Sequence, residues 1–166
     1  GPDHAWVVEQ PDYFVHGTKE DLKEDPQKFS SIETKNGEAI LAYGSNSGPD
    51  VWPDTFQLDY SNPVTVGAMK QELLKVADLC DGLRCDMAGL VLPVVFEQNW
   101  GRRANSFWPE AIRAVHKLYP DFLFIAEAND HLAPALQQEG FDYTYDKCLY
   151  QRLLAGSAAP VREHLE

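Results

Sequence analysis

The sequence predicts an α/β fold with a parallel sheet, because helical and strand patterns alternate from residue 63 onward. Asn62 followed by Pro63 is a common helix start, and an apolar stripe at helical spacing follows it. Three strand patterns come next, at 81–86, 122–126 and 141–145. Such an alternation calls for parallel strands joined by right-handed crossovers. Three strands do not close a barrel, so the pattern alone fits either an open sheet or a barrel with strands missing.

Each later element has its own sequence signal. The helical pattern at 108–119 stops before Pro120, and the residue before a proline disfavours helical backbone. The segment 122–126 is continuously apolar, which is typical of a strand buried on both faces. Helical patterns at 131–138 and 147–154 flank the third strand, and small residues at 156–160 are expected to end the last helix.

Residues 1–62 have little periodicity and are predicted to form a separate, loop-rich region, with the α/β segment at 63–166. Asn36-Gly37 lies between two strand-like runs and predicts a hairpin. The run 21–26, which ends in a proline, predicts a short helical turn. We expect this region to cover the end of the sheet from which the acidic residues emerge.

Charge and composition argue against several classes of protein. The net charge of −12 argues against nucleic-acid binding, which needs a surplus of Lys and Arg on one face. No apolar run reaches the ~18 residues that predict a membrane span. Cys80, Cys85 and Cys148 lack metal-type spacing and are predicted to be free, mostly buried thiols. No cofactor is expected. The cellular compartment stays open.

Two carboxylates mark the predicted ends of neighbouring strands. Arg84 and Asp86 are two residues apart on a strand, so their side chains share a face. Asp86 ends that strand and Glu127 ends the next one. Retaining glycosidases use two carboxyl groups about 5 Å apart. The plainer alternative is that Asp86 caps a turn while Glu127 is a solvated strand end, and spacing alone favours that alternative.

Four segments carry a resemblance to a known family. They are 52–63 (WPDTFQLDYSNP), 81–88 (DGLRCDMA), 122–128 (FLFIAEA) and 141–146 (FDYTYD). In this order they resemble the exit from domain B and the motifs of barrel strands 4, 5 and 6 in the α-amylase family, family 13 of the glycoside hydrolases. The resemblance implies a partial (β/α)8 TIM barrel preceded by a domain-B-like excursion, as an internal fragment of a longer enzyme.

The resemblance also implies roles for three residues. Asp86 matches the nucleophile, Glu127 matches the general acid and base, and Arg84 is expected to hold Asp86 ionised and oriented. The implied activity is retaining hydrolysis of α-glucosidic bonds in α-glucans or oligosaccharides. Some α-amylases carry Lys-His where this chain has Gly89 and Leu90, so a glucosidase or a transglycosylase of the same family is an alternative.

Further residues are candidates for binding. Aromatic rings pack on the flat faces of sugars, and four residues in the first half of the molecule or in its loops are predicted to bind substrate: His4, Tyr43, Trp52 and Trp100. Core packing is the alternative for the three aromatic residues, and a surface or hydrogen-bonded histidine is the alternative for His4. Asp21, Glu24 and Asp25 are a candidate calcium site, although a solvated acidic face is the favoured interpretation.

The resemblance leaves parts of the family's active site unmatched. An Asn-His pair at strand 3 and a His and an Asp at strand 7 have no counterpart, so hydrolysis by this chain is expected to be weak or absent. A non-catalytic partial barrel is therefore one alternative, and an unrelated α/β binding domain is another. Open sheet edges near 81 and 141 predict a homodimer. In the competing arrangement, residues 1–62 fold over the edges and the chain stays monomeric.

Overall fold

The computed structural model describes residues 1–46, 50–128 and 130–166. They form two compact units, one of 1–72 with 90–107 and the other of 73–89 with 108–166. The helix α3 (Pro63–Ala77) contributes residues to both units. The domain boundary predicted after residue 62 stays a prediction.

The first unit contains an antiparallel sheet of three strands in the order β1-β2-β3: Phe29–Thr34, Gly37–Ser45 and Val51–Phe56. The predicted hairpin is confirmed, since Thr34 pairs with Gly37 and the chain turns at Lys35 and Asn36. Gly37 has φ of 100°, a left-handed conformation that glycine adopts without the steric cost of a Cβ atom.

Short helices accompany this sheet: α1 (Ala5–Glu9), α2 (Lys19–Glu24) and α4 (Pro93–Trp100). The predicted turn at 21–26 corresponds to α2, whose capping box joins Thr18 and Asp21. The sequence prediction missed α1 and α4 and treated 93–100 as a connection. Pro93 at the start of α4 and Gly101, with φ of 66° at its end, are the signals that mark this helix.

The core of the first unit is aromatic and aliphatic. Val7 from α1 packs with Phe14, Leu41 and Phe56, each less than a tenth exposed. These contacts join α1 to the sheet.

The second unit contains three parallel strands in the order β4-β5-β6: Gly82–Cys85, Leu123–Ala126 and Tyr143–Thr144. Its other helices are α5 (Trp108–His116), α6 (Ala133–Glu139), α7 (Lys147–Leu154) and α8 (Ala158–Leu165). Helices and parallel strands therefore alternate along this unit. Whether this sheet is part of a (β/α)8 barrel stays a prediction.

The helix α8 differs from the sequence prediction, which ended regular structure at 156–160. Pro160 lies in the first turn of α8, where the backbone N–H that proline lacks has no intrahelical partner. A proline near a helix start is therefore compatible with the helix, and the small residues around it do not break it.

The core of the second unit surrounds the middle strand. Phe124 of β5 is fully buried, as are Val115 of α5 and Leu136 of α6, and its ring centroid lies 6.2 Å from that of Phe141 and 5.2 Å from that of Phe122. His116 Nε2 lies 2.8 Å from the carbonyl oxygen of Phe122, which ties α5 to the start of β5. Among the helices that the structure describes, none is long and apolar enough to cross a membrane.

Candidate active site

The two acidic residues singled out from the sequence lie next to each other at one end of the parallel sheet. Asp86 directly follows β4 and Glu127 directly follows β5, and the last residues of these strands, Cys85 and Ala126, are partners in register. Glu127 N donates to Cys85 O at 2.9 Å, which continues the ladder past the strand end. The predicted placement is confirmed, and the catalytic roles remain predictions.

Arg84 contacts both carboxylates. Its Nη1 lies 3.3 Å from Asp86 Oδ1, and its Nη2 lies 2.7 Å from Glu127 Oε2. The Glu127 side chain is 26% exposed and that of Asp86 is 73% exposed, so the shorter ion pair is also better shielded from water. The sequence pointed to Asp86 as the partner of Arg84, whereas Glu127 is the closer one. Ion pairs at a surface contribute little to stability, so this bridge orients the acids more than it stabilises the fold.

The turn after β4 holds Glu127 from another side. Met87 N donates to Glu127 Oε2 at 3.2 Å, and Ala88 N donates to the Glu127 carbonyl oxygen at 3.0 Å. Met87 has φ of 46°, a left-handed conformation that is uncommon for a residue with a side chain. Residues held in this way cost of order 1 kcal/mol and cluster at functional sites. The backbone turn thus aligns the Glu127 carboxylate.

A tyrosine completes the row of residues at this end of the sheet. Tyr145 follows β6 as Glu127 follows β5, and its backbone N donates to Ala126 O at 3.0 Å. Its hydroxyl accepts a hydrogen bond from Arg84 Nε at 3.1 Å, and its ring centroid is 5.4 Å from the guanidinium carbon. The hydrogen bond with Tyr145 raises the pKa of Arg84 above its ordinary value, and the two carboxylates raise it further. Sequence reasoning missed this residue, although its place at a strand end was the signal.

Two other acids near the third strand have structural partners. Asp142 Oδ2 accepts a hydrogen bond from Phe124 N at 2.8 Å. Asp146 accepts one from Leu149 N at 2.8 Å as the cap of α7, and its Oδ2 lies 2.6 Å from His164 Nε2. The backbone hydrogen bond from Leu149, and secondly the His164 contact, lower the pKa of Asp146. Both acids therefore secure local structure.

All four residues predicted to bind sugar lie in the first unit, whereas the acids and Arg84 lie in the second. Tyr43 stacks on Phe56, with ring centroids 5.0 Å apart and ring planes 5° apart. Trp52 is partly buried in β3, and its ring lies so close to Gly44 that a Cβ there would be 3.2 Å from it. Both rings thus have packing partners, and their role in binding stays a prediction.

His4 and Trp100 also have neighbours within the first unit. His4 Nδ1 accepts a hydrogen bond from Trp6 N at 3.1 Å and caps α1. With Trp6 and Phe14, His4 lines a cavity of about 320 Å³. Lys28 Nζ lies 4.9 Å from the Trp100 ring centroid, a cation–π contact. Sugar binding by either residue stays a prediction.

Two of the acids considered for calcium serve local hydrogen bonds. Asp21 Oδ2 accepts from Thr18 N at 2.7 Å and from Thr18 Oγ1 at 2.8 Å, and these bonds lower the pKa of Asp21. Asp25 Oδ1 accepts from Lys28 N at 3.2 Å. Across the described ranges, no group of three or more His, Cys, Asp or Glu side chains is placed to hold a metal ion.

Comparison with known proteins finds a distant similarity to an enzyme. No family model matches the chain. The chain is 27% identical over 146 residues to the alpha-1,4-glucan:maltose-1-phosphate maltosyltransferase of Bifidobacterium animalis subsp. lactis. The match covers 87% of this chain and 16% of the length of that enzyme. The similarity supports, in general terms, a place among the enzymes that hydrolyse or transfer glycosides.

Proposed function

We propose that this chain carries the catalytic carboxylates of an enzyme that cleaves α-linked glucosides with retention of configuration. The observation that carries the proposal is the Arg84 bridge between Asp86 and Glu127 at the ends of neighbouring parallel strands. Barrel enzymes place catalytic groups at this end of their strands. One guanidinium in contact with both acids favours the short separation of about 5 Å that a retaining pair needs.

The proposed reaction has two steps. A carboxylate oxygen of Asp86 attacks the anomeric carbon, the bond to the leaving oxygen breaks, and Glu127 gives that oxygen its proton. Glu127, now ionised, takes the proton of an acceptor hydroxyl, which attacks the same carbon and releases Asp86. Two inversions give net retention. Both contacts described for the Glu127 carboxylate fall on Oε2, so we propose Oε1 as the oxygen that passes the proton to and from the substrate.

Transfer of a sugar to another saccharide is a second candidate, because the distant relative is named as a maltosyltransferase of α-1,4-glucan and maltose 1-phosphate. Hydrolysis and transfer share the glycosyl ester on Asp86 and differ only in the acceptor, which is water or a sugar hydroxyl. This chain spans 16% of that relative, so the substrates and the activity of a whole protein are proposals too. Product analysis with and without added maltose separates the two outcomes.

A partial barrel without turnover is the third candidate, and trapping the first step distinguishes it. A ring-fluorinated α-glucosyl fluoride transfers its sugar to the nucleophile with little help from a general acid, and the glycosyl ester that forms is hydrolysed slowly. The reagent therefore reports on the nucleophile alone. The chain is expected to gain one glycosyl group on the peptide that contains Asp86, as measured by mass spectrometry. A chromogenic α-glucoside, assayed in parallel, is expected to be turned over weakly.

The matched pair for this test is Asp86→Asn and Asp81→Asn. Each removes one carboxylate, but Asp81 lies before β4, at the opposite end from the site. Asp86→Asn is expected to abolish the adduct, whereas Asp81→Asn keeps it. No adduct on the native chain, or an adduct that persists in Asp86→Asn, would contradict the proposal.

A further inference from the structure

We propose that Tyr145 is a positioning residue whose hydroxyl holds the Arg84 guanidinium in the orientation that bridges Asp86 and Glu127. The consequence for catalysis rests on the proposed function, whereas the positioning itself does not. Tyr145 contacts Arg84 and has no assigned contact with a reacting atom.

Each nitrogen of the Arg84 guanidinium has a different partner. Nε donates to Tyr145 at 3.1 Å, Nη1 faces Asp86 at 3.3 Å, and Nη2 faces Glu127 at 2.7 Å. The guanidinium is planar and its N–H directions are fixed relative to one another. An anchor on Nε therefore fixes where Nη1 and Nη2 point. Without that anchor, a side chain that is 42% exposed has a long flexible stem and few restraints.

Tyr145 is itself held in place by the parallel sheet. The backbone N of Tyr145 bonds to Ala126 O, one residue before Glu127. Thr144 pairs with Ala126, which pairs with Cys85, so the residues after all three strands start from the same level of the sheet. The tyrosine hydroxyl and the two carboxylates are thus carried by one rigid frame.

The neutral hydroxyl of Tyr145 also suits this role better than a charged group. A carboxylate in place of the phenol would compete with Asp86 and Glu127 for the single positive charge of Arg84. A neutral hydroxyl accepts the Nε hydrogen bond without this competition. Tyr145 is also 44% exposed, so packing in the core does not explain its contact with Arg84.

The test reads the Arg84 side chain directly. In the nitrogen-15-labelled full chain, the Arg84 Nε–Hε signal is assigned by its loss in Arg84→Lys. Tyr145→Phe keeps the ring and removes the hydroxyl. The Arg84 signal is expected to shift, and its hydrogen to exchange with water about tenfold faster, because one hydrogen bond to a charged group is lost.

Two further variants separate positioning from packing. Tyr143→Phe is the matched control, because it is the same substitution in β6 on a residue that is 59% exposed; the Arg84 signal is expected to stay in place. Tyr145→Gln keeps a hydrogen-bond acceptor without the ring, and it is expected to slow the exchange again. Thermal unfolding measures whether each variant is folded.

The outcomes distinguish this inference from the proposed function. An unshifted Arg84 signal in Tyr145→Phe overturns the positioning. A shifted signal, with glycosyl trapping about tenfold slower than in the native chain, supports both steps. A shifted signal with trapping unchanged overturns the link to catalysis. A shifted signal in a chain that forms no adduct at all supports the positioning and overturns the proposed function.

Discussion

Asp59 in the first unit shows how a buried charge depends on its partners. It is 7% exposed, and its carboxylate accepts hydrogen bonds from Ser61 N and from Arg102 Nη1, each at 2.9 Å. Arg102→Ala leaves this carboxylate short of a donor, and we expect the free energy of unfolding to fall by about 1–3 kcal/mol. Urea denaturation measures this change in the free energy of unfolding. Arg103→Ala, at the exposed neighbouring position, is expected to change stability by less than about 0.5 kcal/mol; equal losses in both would contradict this account of Asp59.

The thiols of Cys80 and Cys85 are expected to react at very different rates. Cys85 ends β4 and is buried, and this burial raises its pKa from 9.0 to about 11. Cys80 is exposed and Cys148 is partly exposed, so the prediction of mostly buried thiols is wrong. Since the thiolate is the reactive form, iodoacetamide at pH 8 is expected to modify Cys80 about a hundredfold faster than Cys85. Peptide mass spectrometry follows both sites. Prior unfolding in urea should remove the difference, and comparable native rates would count against the buried thiol.

The same raised pKa has a consequence for stability. The folded state holds the Cys85 proton more tightly than the unfolded state, so its contribution is complete below pH 9.0. It is lost as the pH rises towards about 11. Stability measured over that alkaline range is expected to decline less in Cys85→Ser than in the native chain, because the serine hydroxyl does not ionise there.

Some features of the candidate site follow from sequence, and others need contacts in three dimensions. Asp86 and Glu127 lie at the same end of the sheet because the strands that precede them are parallel. Arg84 and Asp86 share a face because side chains in a strand alternate with a period of two residues. The closer pairing of Arg84 with Glu127 depends on rotamers. The hydrogen bond from the Met87 amide to Glu127 depends on a left-handed backbone conformation, which a residue with a side chain rarely adopts.

At the scale of elements, two glycines are expected to respond in opposite directions to the same substitution. Gly37 begins β2 with φ of 100°, so Gly37→Ala is expected to destabilise the chain by about 1–2 kcal/mol. Gly67 lies inside α3, and a Cβ there meets nothing within 4 Å. Gly67→Ala is therefore expected to stabilise it by about 0.5–1 kcal/mol. Thermal and urea unfolding measure both changes; a loss of equal size at Gly67 would contradict the conformational argument.

The elements that sequence reasoning found were those with a strong period or a specific turn. The continuous apolar strand β5 and the hairpin at Gly37 are examples. The helices α1, α4 and α8 were missed, and their length of at most eight residues is not the whole reason, because α6 and α7 are as short and were predicted. Pro160 is tolerated in α8 because it lies in the first turn, whereas a proline in the interior of a helix would break the helix.

At the scale of the molecule, the units are not contiguous in sequence. Residues 90–107 belong to the first unit, although they follow β4, a strand of the second. Composition changes near residue 62, but periodicity carries no information on which distant segment a connection joins. Long-range contacts decide which unit a segment belongs to. The sequence could therefore predict a change in composition along the chain, but not that residues 90–107 return to the first unit.

The parallel sheet leads to a prediction about assembly. Among the described strands, β4 and β6 are the edges, and each has β5 as its sheet neighbour. Unpaired edge groups favour pairing with another chain, and a two-fold dimer is the simplest closed arrangement. We therefore propose that the chain forms a homodimer through these edges. Light scattering at micromolar concentration is expected to give about twice the chain mass of 18.7 kDa.

A charge on one edge tests whether the strands make that contact. Tyr143 lies in β6 and is 59% exposed, so Tyr143→Lys places a positive charge at the edge of each copy. Like charges brought together oppose pairing, and lysine is a residue that natural edge strands use against it. Tyr143→Lys is therefore expected to shift the mass towards 18.7 kDa. Tyr150→Lys, on a residue of α7 that is 61% exposed, is expected to leave the dimer intact. A native mass that stays at the monomer value on concentration rules the dimer out, and a dimer equally sensitive to both substitutions places its interface elsewhere.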